Sequence, residues 1–259
     1  MALDAVLGAL GAVPADVAAW SIAVVLLGYL VLGVSGFGSA LTIVPLLALR
    51  WPLFTVVPLV LLLDLPAALL LTRLNASRID WRELAPLVPG LVAGAAAGAW
   101  LARWTAQPWA LALLGAYVIA VALRGLFTRS APARASARWA PLAGAAAGIV
   151  ESLFGTSGPL VVAWLARRFA SGSLLRANVP PALAAATGCA LVGMAVSGQL
   201  AQPLLWGALP AAVVVALAGT ALGHRVGARL PAPLATRIIF ALLALAGGAM
   251  LVRAAQGPA

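Results

Sequence analysis

The sequence has few charged residues, one cysteine and one histidine. Only 8% of its 259 residues are Asp, Glu, Lys or Arg, against about 25% in soluble domains. Such a chain cannot cover a water-facing surface, which excludes a soluble enzyme, a soluble nucleic-acid-binding domain and a disordered chain. Cys189 alone forms no internal disulfide framework, and a single cysteine and His224 offer no Cys- or His-based metal site. We therefore expect no metal and no cofactor.

Apolar residues are abundant instead, at 64% of the chain, with a mean hydropathy of +1.10. This composition predicts an all-α, multi-pass membrane protein whose surroundings are the lipid bilayer. All sixteen basic residues are arginine, against six acidic residues, which gives a net charge of +10. The arginines lie between hydrophobic stretches rather than on one face. They therefore indicate membrane topology, and no nucleic-acid partner is expected.

Eight apolar segments of two kinds are present. Two of them, residues 17–49 and 140–169, run for about 30 residues, which is too long for one span of about 20. Gly-rich polar stretches interrupt each near its middle: the first break (residues 35–39) within VSGFGSALTIVP, and the second break (residues 155–159) within ESLFGTSGPLVV. The other six are single spans: Leu53–Thr72, Leu84–Ala102, Trp109–Phe127, Val179–Ser197, Pro203–Leu222 and Leu234–Val252.

A spacing of about 120 residues relates the two breaks and continues downstream. Pro89 and Gly98 recur as Pro210 and Gly219, each pair 121 residues apart. The spacing predicts two membrane repeats, residues 1–128 and 139–259, joined by a polar linker at residues 129–138. Each repeat holds one broken segment followed by three spans.

The distribution of arginine indicates how the broken segments are placed. If both cross the membrane, arginine divides 8 to 8 between the two sides. If both are re-entrant and return to their own side, the division is 13 to 3, which is the bias that the positive-inside rule expects. Three crossings per repeat make the two repeats inverted, a common transporter plan. Re-entrant segments place both termini outside the cytoplasm and the linker inside it. That both broken segments cross the membrane fully is the alternative that stays open.

The two breaks are the first candidates for a substrate site. Non-helical backbone at membrane depth survives only where protein buries it or water reaches it. Each break also starts a helix, whose N-terminus offers free N–H donors and a positive partial charge to an anion. Two such ends meeting near the midplane would bind a small anion; alternatively, the small residues only let helices pack closely. The predicted binding residues are Ser35, Gly36, Gly38, Ser39, Gly155, Thr156, Ser157 and Gly158.

Two acidic residues lie inside apolar segments, Glu151 one helical turn before the second break and Asp64 just before Pro66. A carboxylate at bilayer depth costs about 2.5–3.5 kcal/mol on insertion scales. Both are therefore candidates for proton coupling, with a neutral acid that bridges two helices as the alternative.

Three secondary candidates are Thr42, Trp164 and Asn178. Thr42 follows the first break, and Trp164 lies in the helix after the second break and is a candidate to line the pathway. Asn178 is predicted to cap the N-terminus of the sixth span and is a candidate substrate contact. Thr187, in the middle of that span, is expected to bond its own helix carbonyl.

The first break within Gly33–Pro45, its partner in Gly148–Leu165 and the segment IDWRELAPL (Ile79–Leu87) resemble the TauE/SafE sulfite exporter family, also called the toluene sulfonate uptake permease family. The resemblance covers nearly the whole chain. It implies secondary transport of small sulfur oxyanions or organosulfonates, such as sulfite or sulfoacetate, across the bacterial inner membrane. The breaks here read GFGSA and GTSGP rather than the commoner triple glycine, and the added hydroxyls bear on which anion is held.

These observations predict a multi-pass inner-membrane transporter that exports a small sulfur oxyanion, coupled to protons, and not an enzyme. A passive anion channel or an uptake permease for another small anion would use the same site. A non-transporting membrane partner of another protein is the second alternative. The sequence leaves the anion, the direction, the coupling ion and the oligomeric state open.

Overall fold

A computed structural model describes residues 13–35, 38–127, 135–169, 171–227 and 232–256. At a few positions inside its helices, including residues 35, 224 and 232–240, it describes the backbone alone. Every regular element in these ranges is helical, as the sequence predicts. The α-helices are α1 (Ala15–Ser35), α2 (Ser39–Leu47), α3 (Leu53–Leu74), α4 (Trp81–Leu84), α5 (Val88–Trp104), α6 (Gln107–Phe127), α7 (Ala140–Phe154), α8 (Gly158–Leu165), α9 (Gly172–Val196), α10 (Pro203–Gly227) and α11 (Ala232–Gln256).

Five helical segments are long and apolar enough to cross a membrane: α1, α3, the stretch Trp81–Trp104 ending with α5, α9 and α10. Four of them correspond to predicted single spans, and α1 belongs to the first broken segment. The described parts of α6 and α11 give shorter apolar helices, Pro108–Arg124 and Leu243–Ala255. The chain is thus a multi-pass membrane protein, and the count of eight segments stays a prediction.

The chain divides into two compact units. Unit 1 combines Met1–Leu63, Ala106–Thr128 and Gln199–Ala259, and unit 2 combines Asp64–Thr105 and Arg129–Gly198. Each unit therefore draws on both predicted repeats. The predicted repeats are defined by spacing in the sequence, so the boundaries of the two units neither confirm nor contradict them.

Within unit 1, the first broken segment folds as a helical hairpin of α1 and α2. The Arg50 guanidinium, after α2, pairs with the Asp16 carboxylate at the start of α1, at 2.6 Å. The Trp51 indole N–H donates to the Ser21 hydroxyl at 2.8 Å. The two ends of the segment therefore lie side by side.

Within unit 2, the second broken segment forms a similar hairpin of α7 and α8. The Ala135 N–H, before α7, donates to the Arg167 carbonyl after α8, at 3.3 Å, and the Arg168 guanidinium donates back to the Ala135 carbonyl. Arg168 also forms a two-pronged ion pair with Glu83 of α4, at 2.6 and 2.8 Å. The hydrogen bond to Glu83 raises the pKa of the Arg168 guanidinium above its usual value. These contacts fix the open end of the second hairpin.

Small residues bring the principal helix pairs into close contact. In unit 2, α5 packs on α7, and Gly90, Gly94 and Gly98 face the backbone of α7. In unit 1, α10 packs on α1, and Gly219 and Gly223 face the backbone of α1. Membrane helices lack a hydrophobic drive to associate, so close backbone approach at glycine is a principal source of their packing energy.

Candidate functional site

The second break is a tight turn inside the α7–α8 hairpin. Helix α7 ends at Phe154 and is followed by Gly155 with φ 65°, a left-handed conformation that glycine adopts without a steric penalty. Ser157 then serves as the N-cap position of α8. Helix α7 has 15 residues, which is about 22 Å at about 1.5 Å per residue. The start of α8 therefore lies about one α7 length away from the open end of the hairpin. This depth suits the interior of a bilayer of about 30 Å.

The Glu151 carboxylate accepts two hydrogen bonds at this turn. One oxygen accepts the Ser157 backbone N–H at 2.8 Å, and the other accepts the Thr187 hydroxyl of α9 at 2.6 Å. Glu151 is 4% exposed and is the one buried acidic or basic side chain among the described residues. A carboxylate at this position interacts favourably with the positive end of α8.

Two buried polar groups of α8 have no hydrogen-bond partner among the described residues, the Ser157 hydroxyl and the Trp164 indole N–H. Ser157 is fully buried and Trp164 is 9% exposed. The two residues are seven positions apart, so they lie on one face of the helix about two turns from each other. Buried polar groups are paired in the great majority of cases, and an unpaired one requires an explanation such as a bound water or ion.

In the described part of the first break, a left-handed glycine directly precedes the helix. Gly38, with φ 93°, is the N-cap position of α2. Ser39 and Thr42 are buried, and the Thr42 hydroxyl donates to the Gly38 carbonyl at 3.2 Å. Gly28 of α1 packs against the Ser39 carbonyl, twelve residues or about 18 Å from Asp16 at the hairpin's open end. Gly36 and the Ser35 side chain lie outside the described residues.

The structure brings together some of the predicted site residues. It brings Glu151 and Ser157 into contact, and it surrounds them with the buried residues Gly155 and Thr156 and with Gly158 at the first position of α8. Asp64 is half-buried inside α3, which continues unbroken through Pro66. The predicted meeting of the two breaks at one anion site stays a prediction.

Two expectations for the sixth span are wrong. The Thr187 hydroxyl donates to the Glu151 carboxylate rather than to a carbonyl of its own helix. The two residues are 36 positions apart, so no local sequence pattern predicts this pairing. Helix α9 begins at Gly172 with Ser171 as its N-cap, so Asn178 lies inside the helix. The Asn178 side chain accepts the Asp80 N–H at 2.8 Å and donates to the Leu174 carbonyl at 2.9 Å. Its candidate role as a substrate contact stays a prediction.

The left-handed glycine of the first break leads to a stability prediction. Gly38→Ala should lower the melting temperature by several degrees, because a left-handed backbone costs a residue with a Cβ about 1–2 kcal/mol. The added Cβ itself meets no atom closer than 3.9 Å, so strain rather than a clash is the cause. Gly158→Ala is the control, since its Cβ has open space within 4 Å and its φ is not positive. Equal melting temperatures of the two variants would contradict this account.

Comparisons with known proteins agree with the membrane architecture. A family model described as "Sulfite exporter TauE/SafE" matches residues 21–251. The chain is 35% identical over 196 residues to a probable inner membrane transporter protein, TsaS, of Comamonas testosteroni. The match covers 75% of this chain and 82% of that protein. No solved structure matches the chain significantly.

Proposed function

Because the chain belongs to the TauE/SafE sulfite exporter family, we propose that it exports a small sulfur oxyanion or organosulfonate, such as sulfite or sulfoacetate, by a proton-coupled secondary mechanism. The family and the apolar helices make it a multi-pass inner-membrane transporter of sulfur compounds. We further propose which anion is carried, the direction of transport, the coupling ion and the binding residues.

The observation that carries the site is the buried, unpaired hydroxyl of Ser157 at the N-terminus of α8. A tetrahedral oxyanion there would accept hydrogen bonds from this hydroxyl and from the Gly158 N–H at the first position of the helix. Pro159 has no N–H, and the Leu160 and Val161 N–H groups already donate to the Ser157 carbonyl. Gly155, Thr156 and Gly158 shape the same turn. The N-terminus of α2, with Gly38 and Ser39 after Ser35 and Gly36, is proposed as the equivalent element of the first half.

The hairpins support re-entrant segments and inverted repeats. In both broken segments the two ends lie side by side, so each segment would enter and leave the membrane on one side. The second span of each half, α5 or α10, packs on the broken segment of the other half, and the two third spans, α6 and α11, pack together. Gly98 and Gly219, which correspond at the repeat spacing, both lie at these contacts. Packing of each half's second span on the broken segment of the other half is the pattern that two inverted repeats would produce.

Cysteine labelling tests the proposed topology. In a Cys189→Ala background, Arg50→Cys should react with an impermeant maleimide added from outside the cell. Arg73→Cys, at the other end of α3, should react only after the membrane is opened, because the proposal places it in the cytoplasm. Reaction of both positions from the same side would overturn the topology.

Glu151 is the proposed proton carrier, with Asp64 as the second candidate. It is buried, and its two oxygens bond only uncharged donors, the Ser157 N–H and the Thr187 hydroxyl. The charged residues on the elements around α7 lie near helix ends: Arg103 on α5, Arg176 on α9, Arg167 and Arg168 after α8, Arg138 before α7, and Arg82 and Glu83 on α4. Ionisable side chains at membrane depth usually mark ion or proton pathways, which is the basis of this proposal.

Flux in proteoliposomes tests this function. Wild-type protein should carry sulfite faster than protein-free vesicles, and an imposed pH gradient should change the rate. Glu151→Gln should make the rate insensitive to the gradient, because glutamine carries no exchangeable charge. The passive channel alternative predicts rates far above those of carriers and no response to a pH gradient in either protein.

A further inference from the structure

We propose that the Glu151 carboxylate is a resident anion that occupies the substrate site, and that a substrate anion binds by displacing it. The inference rests on the proposed function, because it assumes that the start of α8 binds an oxyanion. It concerns the order of events at that site and predicts that removing the carboxylate strengthens substrate binding.

The first step of the argument is the position of the carboxylate. The Ser157 N–H is a donor at the positive end of α8, and one Glu151 oxygen already accepts it at 2.8 Å. An incoming sulfonate or sulfite oxygen needs such a donor. The protein's own carboxylate therefore holds the hydrogen bond that a substrate would otherwise make.

The second step is the donor that the carboxylate leaves unused. Its other oxygen accepts the Thr187 hydroxyl at 2.6 Å, while the Ser157 hydroxyl stays buried and without a partner among the described residues. A planar carboxylate with two oxygens thus satisfies only part of the donor set. A tetrahedral anion with three oxygens would match a larger set, including the hydroxyl and the N–H of the same residue.

The third step is electrostatic. Two negative charges about 4 Å apart in a protein repel each other substantially, even at the effective dielectric constant of a partly solvated site. Glu151 and a substrate anion cannot both remain charged at the start of α8. The carboxylate must become protonated or turn away toward Thr187, and either event frees the Ser157 N–H. Substrate binding is thereby linked to the state of Glu151.

A purely structural role for Glu151 makes the opposite prediction. An acidic side chain that only caps α8 would stabilise the hairpin, and its loss would leave anion affinity unchanged or lower. The glutamine side chain separates the two roles because it keeps the shape of glutamate and one acceptor oxygen for the Ser157 N–H, and it removes the charge. Its NH2 group takes the place of the other oxygen, which the Thr187 hydroxyl can rotate to accept.

Isothermal titration with methanesulfonate, whose charge is fixed near neutral pH, and with sulfite tests the inference. We expect Glu151→Gln to bind both probes about tenfold more tightly than wild type, from the loss of charge repulsion. Thr187→Val, which removes one bond that holds the carboxylate, should bind with a smaller gain. Ser152→Ala is the matched control, because it removes a buried hydroxyl of α7 that donates to the Ala95 carbonyl, and it should leave affinity unchanged.

The outcomes separate the inference from the proposed function. Binding to wild type with equal or weaker binding to Glu151→Gln overturns the resident-anion inference and leaves the anion site standing. Binding to Glu151→Gln alone supports the inference, since it shows that the carboxylate excludes the probe. Binding of neither probe to any of the proteins contradicts the anion site itself. If Glu151→Gln does not fold, the gain predicted for Thr187→Val decides.

Discussion

Replacing Ser39 and Ser157 together with alanine is expected to reduce sulfite flux in proteoliposomes by about tenfold to a hundredfold. Each hydroxyl is buried at the start of a hairpin helix, and a hydrogen bond to a charged group contributes about 1.5–3 kcal/mol. Ser157 has the clearer role, because its hydroxyl has no partner among the described residues. Its loss should therefore cost binding without costing a native hydrogen bond.

Two single variants of the second hairpin separate an effect on binding from an effect on stability. Ser157→Ala should lower flux while leaving the melting temperature of the empty protein nearly unchanged. Ser152→Ala should do the reverse, since the Ser152 hydroxyl bonds the Ala95 carbonyl at 3.1 Å and lies on the α5–α7 contact. Wild-type flux in the Ser39→Ala, Ser157→Ala double variant would rule out the proposed donors.

Gly94→Ala is expected to lower the free energy of unfolding by about 2 kcal/mol or more, the usual cost of overpacking a tight contact. A Cβ at Gly94 would overlap the backbone carbonyl of Ala145 in α7, and backbone atoms cannot rotate away as a flexible side chain can. The measurement is the melting temperature in detergent, which should fall by several degrees.

Gly188→Ala in α9 is the matched control for that prediction. An added Cβ there meets no atom within 4 Å, so only the helix preference of alanine over glycine remains, worth about 0.5–1 kcal/mol in favour of the variant. The two glycine substitutions should thus change stability in opposite directions. A similar small gain from both would show that the α5–α7 contact is looser than described.

The sequence was sufficient to predict the parts of this protein that follow from composition and local patterns. Long apolar runs predicted the helices, and glycine-rich interruptions predicted the breaks at Gly38 and Gly155, where the backbone is left-handed. The arginine distribution predicts segments that return to their own side, and this stays a prediction.

Other features depend on contacts between distant segments, which no local pattern encodes. The pairing of Glu151 with Thr187 joins two helices, and each partner alone suggested a different role. Helix α9 begins earlier than the sequence predicts, because the polar residues Arg176 and Asn178 end the apolar run at Val179, whereas the helix extends back to Gly172. The sequence accordingly predicts Asn178 as a helix cap, whereas the folded protein uses its side chain to hold the chain before α4.

The central claim is that the folded protein binds a sulfur oxyanion at the second break. Thermal-shift titration of the purified protein with sulfite, sulfoacetate, sulfate and taurine tests this claim most directly, with chloride at equal ionic strength as the reference. A ligand that binds only the folded state must raise the melting temperature in a saturable way. The account predicts saturable stabilisation by at least one sulfur anion in wild type and a much weaker response in Ser157→Ala. No stabilisation by any of the four in either wild type or Glu151→Gln, or equal stabilisation of Ser157→Ala, would contradict it.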